Sequence, residues 1–154
     1  MRAIVIVALG FALTAGAEDY RGPRPEKADV PYLVHASNLI ATDAGTAKQE
    51  GKNSDTYSVE GPAAKVRTPL AEPIFLLRSE KLRADSLELY KLSVKGAKRE
   101  VTLKKKRTEY GPFHLQVTKL DRDLYRIEAD EPLENGQYSL SPTGSDVVFC
   151  FEIY

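Results

Sequence analysis

The stretch Leu124-Tyr125-Arg126-Ile127-Glu128-Ala129-Asp130-Glu131-Pro132-Leu133-Glu134-Asn135-Gly136-Gln137-Tyr138-Ser139-Leu140-Ser141 decides the fold class. At its start Tyr125, Ile127 and Ala129 fall on one face, and Arg126, Glu128 and Asp130 on the other. Such alternation marks a strand with one face in a core and one in water. Pro132 cannot donate to a ladder and Asn135-Gly136 suits positive φ, so the strand ends in a turn. A second strand follows over 137–141, with Tyr138 and Leu140 expected inward and the serines outward. Pro142-Thr143-Gly144-Ser145-Asp146 turns again, and Val147, Phe149, Phe151 and Ile153 share one face of a last strand. Its other face (Val148, Cys150, Tyr154) is nearly as apolar, so this strand is expected to be central and covered on both sides. Left at an open edge, a strand that apolar would aggregate.

Upstream the pattern repeats. Tyr32-Leu33-Val34-His35-Ala36 is the expected start of the domain, and residues 46–49 and 56–59 can pair as a hairpin. Ile74-Phe75-Leu76-Leu77 reads as a buried strand after Pro73. The charged residues 79–86 suit a loop or one helical turn. Over 87–94 the alternation slips phase between Leu89 and Tyr90, which predicts a β-bulge. Lys95-Gly96-Ala97-Lys98 is a turn, the next strand carries Val101 and Leu103 inward, and Phe113 to Val117 alternates again. Short strands, turn signals every few residues and no long amphipathic helix predict an all-β chain, an antiparallel β-sandwich.

Residues 131–140, Glu-Pro-Leu-Glu-Asn-Gly-Gln-Tyr-Ser-Leu, precede an apolar strand that ends the chain. This pattern resembles the last two strands of bacterial exported immunoglobulin-like domains, where an acidic-proline-leucine turn, a Gly-x-Tyr strand and an aromatic strand recur. The resemblance implies an immunoglobulin-like sandwich and carries no activity. Copper carriers of that general architecture use clustered histidines and methionines. This chain has only His35 and His114, and no methionine after Met1, so copper binding does not carry over.

Residues 1–17 read as a secretory signal: Arg2, then the apolar run 3–13, then Ala15-Gly16-Ala17 as a cleavage pattern. The run is too short to span a bilayer, and no later stretch is apolar enough for a transmembrane segment. The mature chain is expected to begin at Glu18, outside the cytoplasm, in the periplasm or beyond. Residues 18–31 are rich in proline and charge, an extended or disordered leader. Residues 32–154 form a single domain. With 22 basic and 22 acidic side chains, overall charge directs the protein to neither nucleic acid nor an anionic membrane.

Residues able to do chemistry are sparse. Cys150 is the only cysteine and lies mid-strand between Phe149 and Phe151, a small hydrophobe and not a nucleophile. His35 and His114 lack ligands at metal-binding spacing, and no metal or other cofactor is implied. Glu128, Asp130, Glu131 and Glu134 crowd one turn without the spacing of a dedicated cation loop. No catalytic set is legible, and the chain reads as a non-enzyme.

One asymmetry remains. Lys95, Lys98, Arg99, Lys104, Lys105, Lys106 and Arg107 stand against Glu100 alone. Lysines on an outer strand discourage sheet-to-sheet pairing, and the same tract can offer an interaction patch to another envelope protein or an anionic polymer. Without interleaved exposed aromatics it is not a nucleic-acid site. The expectation is therefore an exported β-sandwich acting as an interaction or structural module of a bacterial cell envelope. The alternative is a small-ligand or carbohydrate-binding domain.

Overall fold

The computed structural model describes residues 19–103 and 111–154. Residues 1–18, with the expected signal, and 104–110, with Lys104, Lys105, Lys106 and Arg107, lie outside the described residues. The strands are β1 (Tyr32–His35), β2 (Asn38–Ala41), β3 (Asp43–Thr46), β4 (Lys48–Gln49), β5 (Thr56–Glu60), β6 (Arg67–Thr68) and β7 (Ile74–Arg78). After a short 3-10 turn (Ala84–Ser86) come β8 (Leu87–Lys95), β9 (Lys98–Thr102), β10 (Leu115–Lys119), β11 (Leu124–Ala129), β12 (Gly136–Pro142) and β13 (Val147–Ile153). Among the described residues no helix is long and apolar enough to cross a membrane.

Two sheets face each other as an antiparallel all-β sandwich. The smaller has the order β10-β11-β7-β1-β2 and the larger β3-β13-β12-β8-β9-β5-β4, with β6 added in parallel beside the end of β13. Their facing surfaces meet in one apolar core. Leu33, Phe75, Leu77 and Ile127 come from the smaller sheet; Leu89, Tyr138, Leu140, Phe149, Phe151 and Ile153 come from the larger. Phe151 sits at its centre, with ring centroids 4.8 Å from Phe75 and 5.5 Å from Tyr138. Burying each such side chain contributes about 2 kcal/mol, and the aromatic contacts add to that. The inward faces expected for β11, β12 and the later part of β13 are the ones found; Val147 stays exposed at the strand's start.

The larger sheet is more than one layer of the sandwich. Strands β3 and β4 stand at opposite ends of its order, yet Ala47 alone separates them in the chain. The segment leaves β13 and joins β5 within a few residues, so the sheet curls until its ends meet. One face of β8, β12 and β13 therefore packs on the smaller sheet, while the other faces the inside of the curl. There Leu92, Val148, Cys150 and Ala64 form a second apolar cluster.

The curl corrects two sequence expectations. Strand β8 has no bulge: its pairing with β12 runs unbroken from Leu87↔Pro142 to Leu92↔Gln137. The apparent slip arises because Leu87 and Leu89 serve the main core, whereas Leu92 serves the inner cluster. The serines of β12 do not face water either. Ser139 is buried, directly across from Tyr90 and Cys150.

Residues 19–31 run without strand pairing across the outer face of the smaller sheet. Arg78 donates from Nε to the Pro25 carbonyl (3.2 Å) and from Nη2 to that of Glu26 (2.8 Å). Arg24 pairs with Asp121. Asp29, at φ 61°, accepts three backbone N–H groups through Oδ1, those of Glu80, Lys81 and Leu82 at 2.8–2.9 Å. Tyr32, Leu76 and Leu124 share that outer face by register and are buried.

Candidate functional site

Of the expected patch the structure describes Lys95, Lys98 and Arg99; Lys104, Lys105, Lys106 and Arg107 lie outside the described residues. Lys95 is exposed at the end of β8. Lys98 is held by Glu50 at 2.8 Å and Glu100 at 3.0 Å, so its charge is already matched. Arg99 is a correction: it is only 4% exposed and points into the curl. Its Nε donates to the Gly61 carbonyl at 2.9 Å and its Nη2 to that of Glu60 at 3.0 Å. Alternation explains this, since Arg99 shares the inner face of β9 with Val101.

The other singled-out residues are scattered. His35 is exposed at the end of β1, and His114 pairs with Asp130 at the surface. Glu128 takes Arg126 at 2.7 Å and Glu134 takes Lys91 at 2.9 Å. Among the described residues no three histidine, cysteine or acidic side chains gather as metal ligands. Cys150 is buried in the inner cluster, and burial pushes its thiol up to about 11 despite the Arg99 guanidinium nearby.

A candidate site lies inside the curled sheet. One end of the curl is filled. Ala64 donates its N–H to Gln137 Oε1 at 2.8 Å, and the loop around it is held by Arg99. The other end opens into a cavity of about 530 Å³. Its walls are Val59, Leu92, Val101 and Val148, and the β12–β13 turn (Gly144, Ser145, Asp146) forms part of its rim. Gly144 adopts φ 73°, which lets the chain reverse there. Pockets of a few hundred Å³, mostly apolar with a few placed polar groups, are the usual form of a small-molecule site. A small closed sheet can likewise hold a single small ligand.

The polar groups are few and ordered. Tyr57 and Tyr90 line the cavity from β5 and β8. The Tyr90 hydroxyl donates to Glu88 Oε2 at 2.8 Å. Burial first, and that bonded carboxylate second, push Tyr90 far above its ordinary range, so the phenol stays protonated. Ser139 and Ser141 bring their hydroxyl oxygens within 3.3 Å of each other on the same wall.

Sequence reasoning missed this site although its trace was present. Glu88, Tyr90 and Leu92, and Ser139 with Ser141, occupy every second position on the face turned away from the main core. Only the curl gives that face something to enclose. No protein-family model, curated protein or solved structure matches the chain.

Proposed function

We propose that this chain is a non-enzymatic, exported binding module that takes one small, largely apolar molecule into its curled sheet. The observation that carries the reading is the cavity itself, walled by Val59, Leu92, Val101 and Val148 with two tyrosines. Interiors normally close over such space, because a void lined by aliphatic groups costs stability. Export rests on residues 1–17, which read as a secretory signal. The likeness of residues 131–140 to exported immunoglobulin-like domains belongs to this proposal, as does a place in a bacterial envelope.

Titration with N-phenyl-1-naphthylamine, a neutral fluorescent apolar probe, tests the binding reading. The expected result is saturable one-to-one binding with a blue-shifted emission, reversed by 1-octanol. Absence of saturable binding by either molecule overturns it. Export is tested separately: mass spectrometry of the secreted protein should find Glu18 at the N-terminus, and intact Met1 would refute processing there.

The envelope-interaction reading ranks second. Within the described part of the tract, Lys98 is matched by carboxylates, Arg99 is buried and Lys95 is exposed; Lys104, Lys105, Lys106 and Arg107 lie outside the described residues.

A further inference from the structure

Four polar side chains of the cavity wall lie in register on two neighbouring strands. Tyr90 of β8 stands directly across from Ser139 of β12, and Glu88 directly across from Ser141. The Tyr90 hydroxyl gives its proton to Glu88 Oε2 at 2.8 Å, because an ionised carboxylate can only accept. Burial and that carboxylate together keep the phenol protonated. Toward any third group the Tyr90 oxygen is therefore an acceptor. Residues 104–110 follow lining residue Leu103 and lie outside the described residues; the direction of the Tyr90–Glu88 bond does not depend on them. Ser139 and Ser141 share one hydrogen bond at 3.3 Å, which uses the proton of one serine and leaves that of the other to donate.

A ligand lodged against these residues meets an acceptor and a donor side by side, next to the aliphatic Leu92 and Val148. A hydroxyl group matches both, since it donates to the Tyr90 oxygen and accepts from a serine. An ether only accepts, which leaves the Tyr90 oxygen facing it without a donor as water leaves, and that is costly. A hydrocarbon leaves both groups unmatched.

Resting on the cavity reading above, we propose that the site selects apolar molecules that carry a hydroxyl, with Tyr90 as the acceptor that recognises it and Glu88 as the residue that positions the Tyr90 proton.

The test compares two isomers, 1-octanol and heptyl methyl ether, which hold the same atoms and differ in having a proton to donate. Each is titrated at pH 7 by calorimetry and as a competitor of N-phenyl-1-naphthylamine. 1-Octanol should bind about fivefold tighter, the effect of one hydrogen bond in a partly dry site. Tyr90→Phe keeps the ring and removes the acceptor. There 1-octanol should weaken about fivefold while the ether changes by about twofold or less, a split that general damage to the cavity would not give. Glu88→Ala returns the proton to Tyr90, which can then donate to the ether, so ether binding should tighten about threefold. Circular dichroism checks the fold of each variant. Equal affinity for the two isomers in the parent protein, or an equal loss for both in Tyr90→Phe, overturns the hydroxyl proposal while the cavity stands. Should Tyr90→Phe fail to fold, unchanged or weaker ether binding in Glu88→Ala overturns the assignment of the Tyr90 proton. Failure of both isomers and of the fluorescent reporter to bind the parent protein overturns the cavity reading itself, and the hydroxyl proposal with it.

Discussion

Arg99 Nε lies 2.9 Å from the Gly61 carbonyl oxygen, inside the curled sheet and away from solvent. The contact joins β9 to the loop that fills one end of the curl. A second bond to the Glu60 carbonyl uses Nη2, while Nη1 has no hydrogen-bond partner among the described residues. The guanidinium is thus a structural clamp in the place where a basic surface patch was expected.

Truncating that clamp should be costly. Arg99→Ala leaves two carbonyls without their donors and opens space in the inner cluster, a loss on the order of 3 kcal/mol. A surface lysine or arginine replaced by alanine changes stability by about 0.5 kcal/mol or less. Chemical denaturation of Arg99→Ala beside Lys95→Ala checks the contrast. Equal, small effects would mean that Arg99 behaves as a surface residue in solution.

Asp29 should make attachment of the 19–31 segment sensitive to acid. Burial raises its pKa, but the three N–H groups it accepts outweigh that and hold the carboxyl below its ordinary range. A depressed folded value means that the contribution is complete above the unfolded pKa of about 3.9 and is lost as pH falls through the folded value. Asp29→Asn keeps an acceptor oxygen without the charge and should cost about 1 kcal/mol at pH 7, because the group is only half-buried. Melting temperatures of the parent and Asp29→Asn should converge below about pH 4. A gap that stays constant from pH 7 to pH 3 would remove the carboxylate from the account.

Cys150 should be silent in the native protein. Burial favours the thiol over the thiolate, and the side chain lies among Ala64, Leu92 and Val148. A bulky thiol reagent should label it only as fast as the protein opens, and denaturant should accelerate labelling in step with unfolding. Cys150→Ala should cost on the order of 1 kcal/mol through lost volume and contacts. Rapid labelling without denaturant would place the thiol at a surface.

How much of this was legible beforehand depends on which face of a strand is asked about. Tyr138 and Leu140, or Phe149 and Phe151, alternate with less apolar neighbours, so the main core could be read from a period of two. The inner face obeys the same period but is a mixture: Glu88, Tyr90 and Leu92 on β8, Ser139 and Ser141 on β12. Locally such a mixture looks like a solvated face, or like a bulge where an apolar residue changes side. What encloses it is the step across Ala47 from β13 to β5, a long-range closure with no mark in local composition. Arg99 was misplaced for the same reason, since a charged residue among lysines gives no local sign of facing inward.

The cavity separates stability from function in a testable way. Space lined by Val59, Leu92, Val101 and Val148 weakens the inner cluster, so filling it should stabilise the fold while removing the site. Val101 is suited to this. It lies mid-strand in β9 opposite Tyr57, is half-buried, and faces the cavity. Val101→Phe adds an aromatic ring to a strand position, where aromatic residues are well tolerated, and directs its bulk into open space. We expect melting to rise by about 2–5 °C, equivalent to roughly 0.5–1 kcal/mol, and binding of N-phenyl-1-naphthylamine to fall about tenfold or more. A variant that melts higher cannot have lost binding by unfolding. Unchanged binding together with higher melting would show that the probe sits elsewhere. Lower melting with a local clash would show that the inner cluster is already filled at this position, and Ala47→Val, at another lining residue between β3 and β4, would then repeat the test.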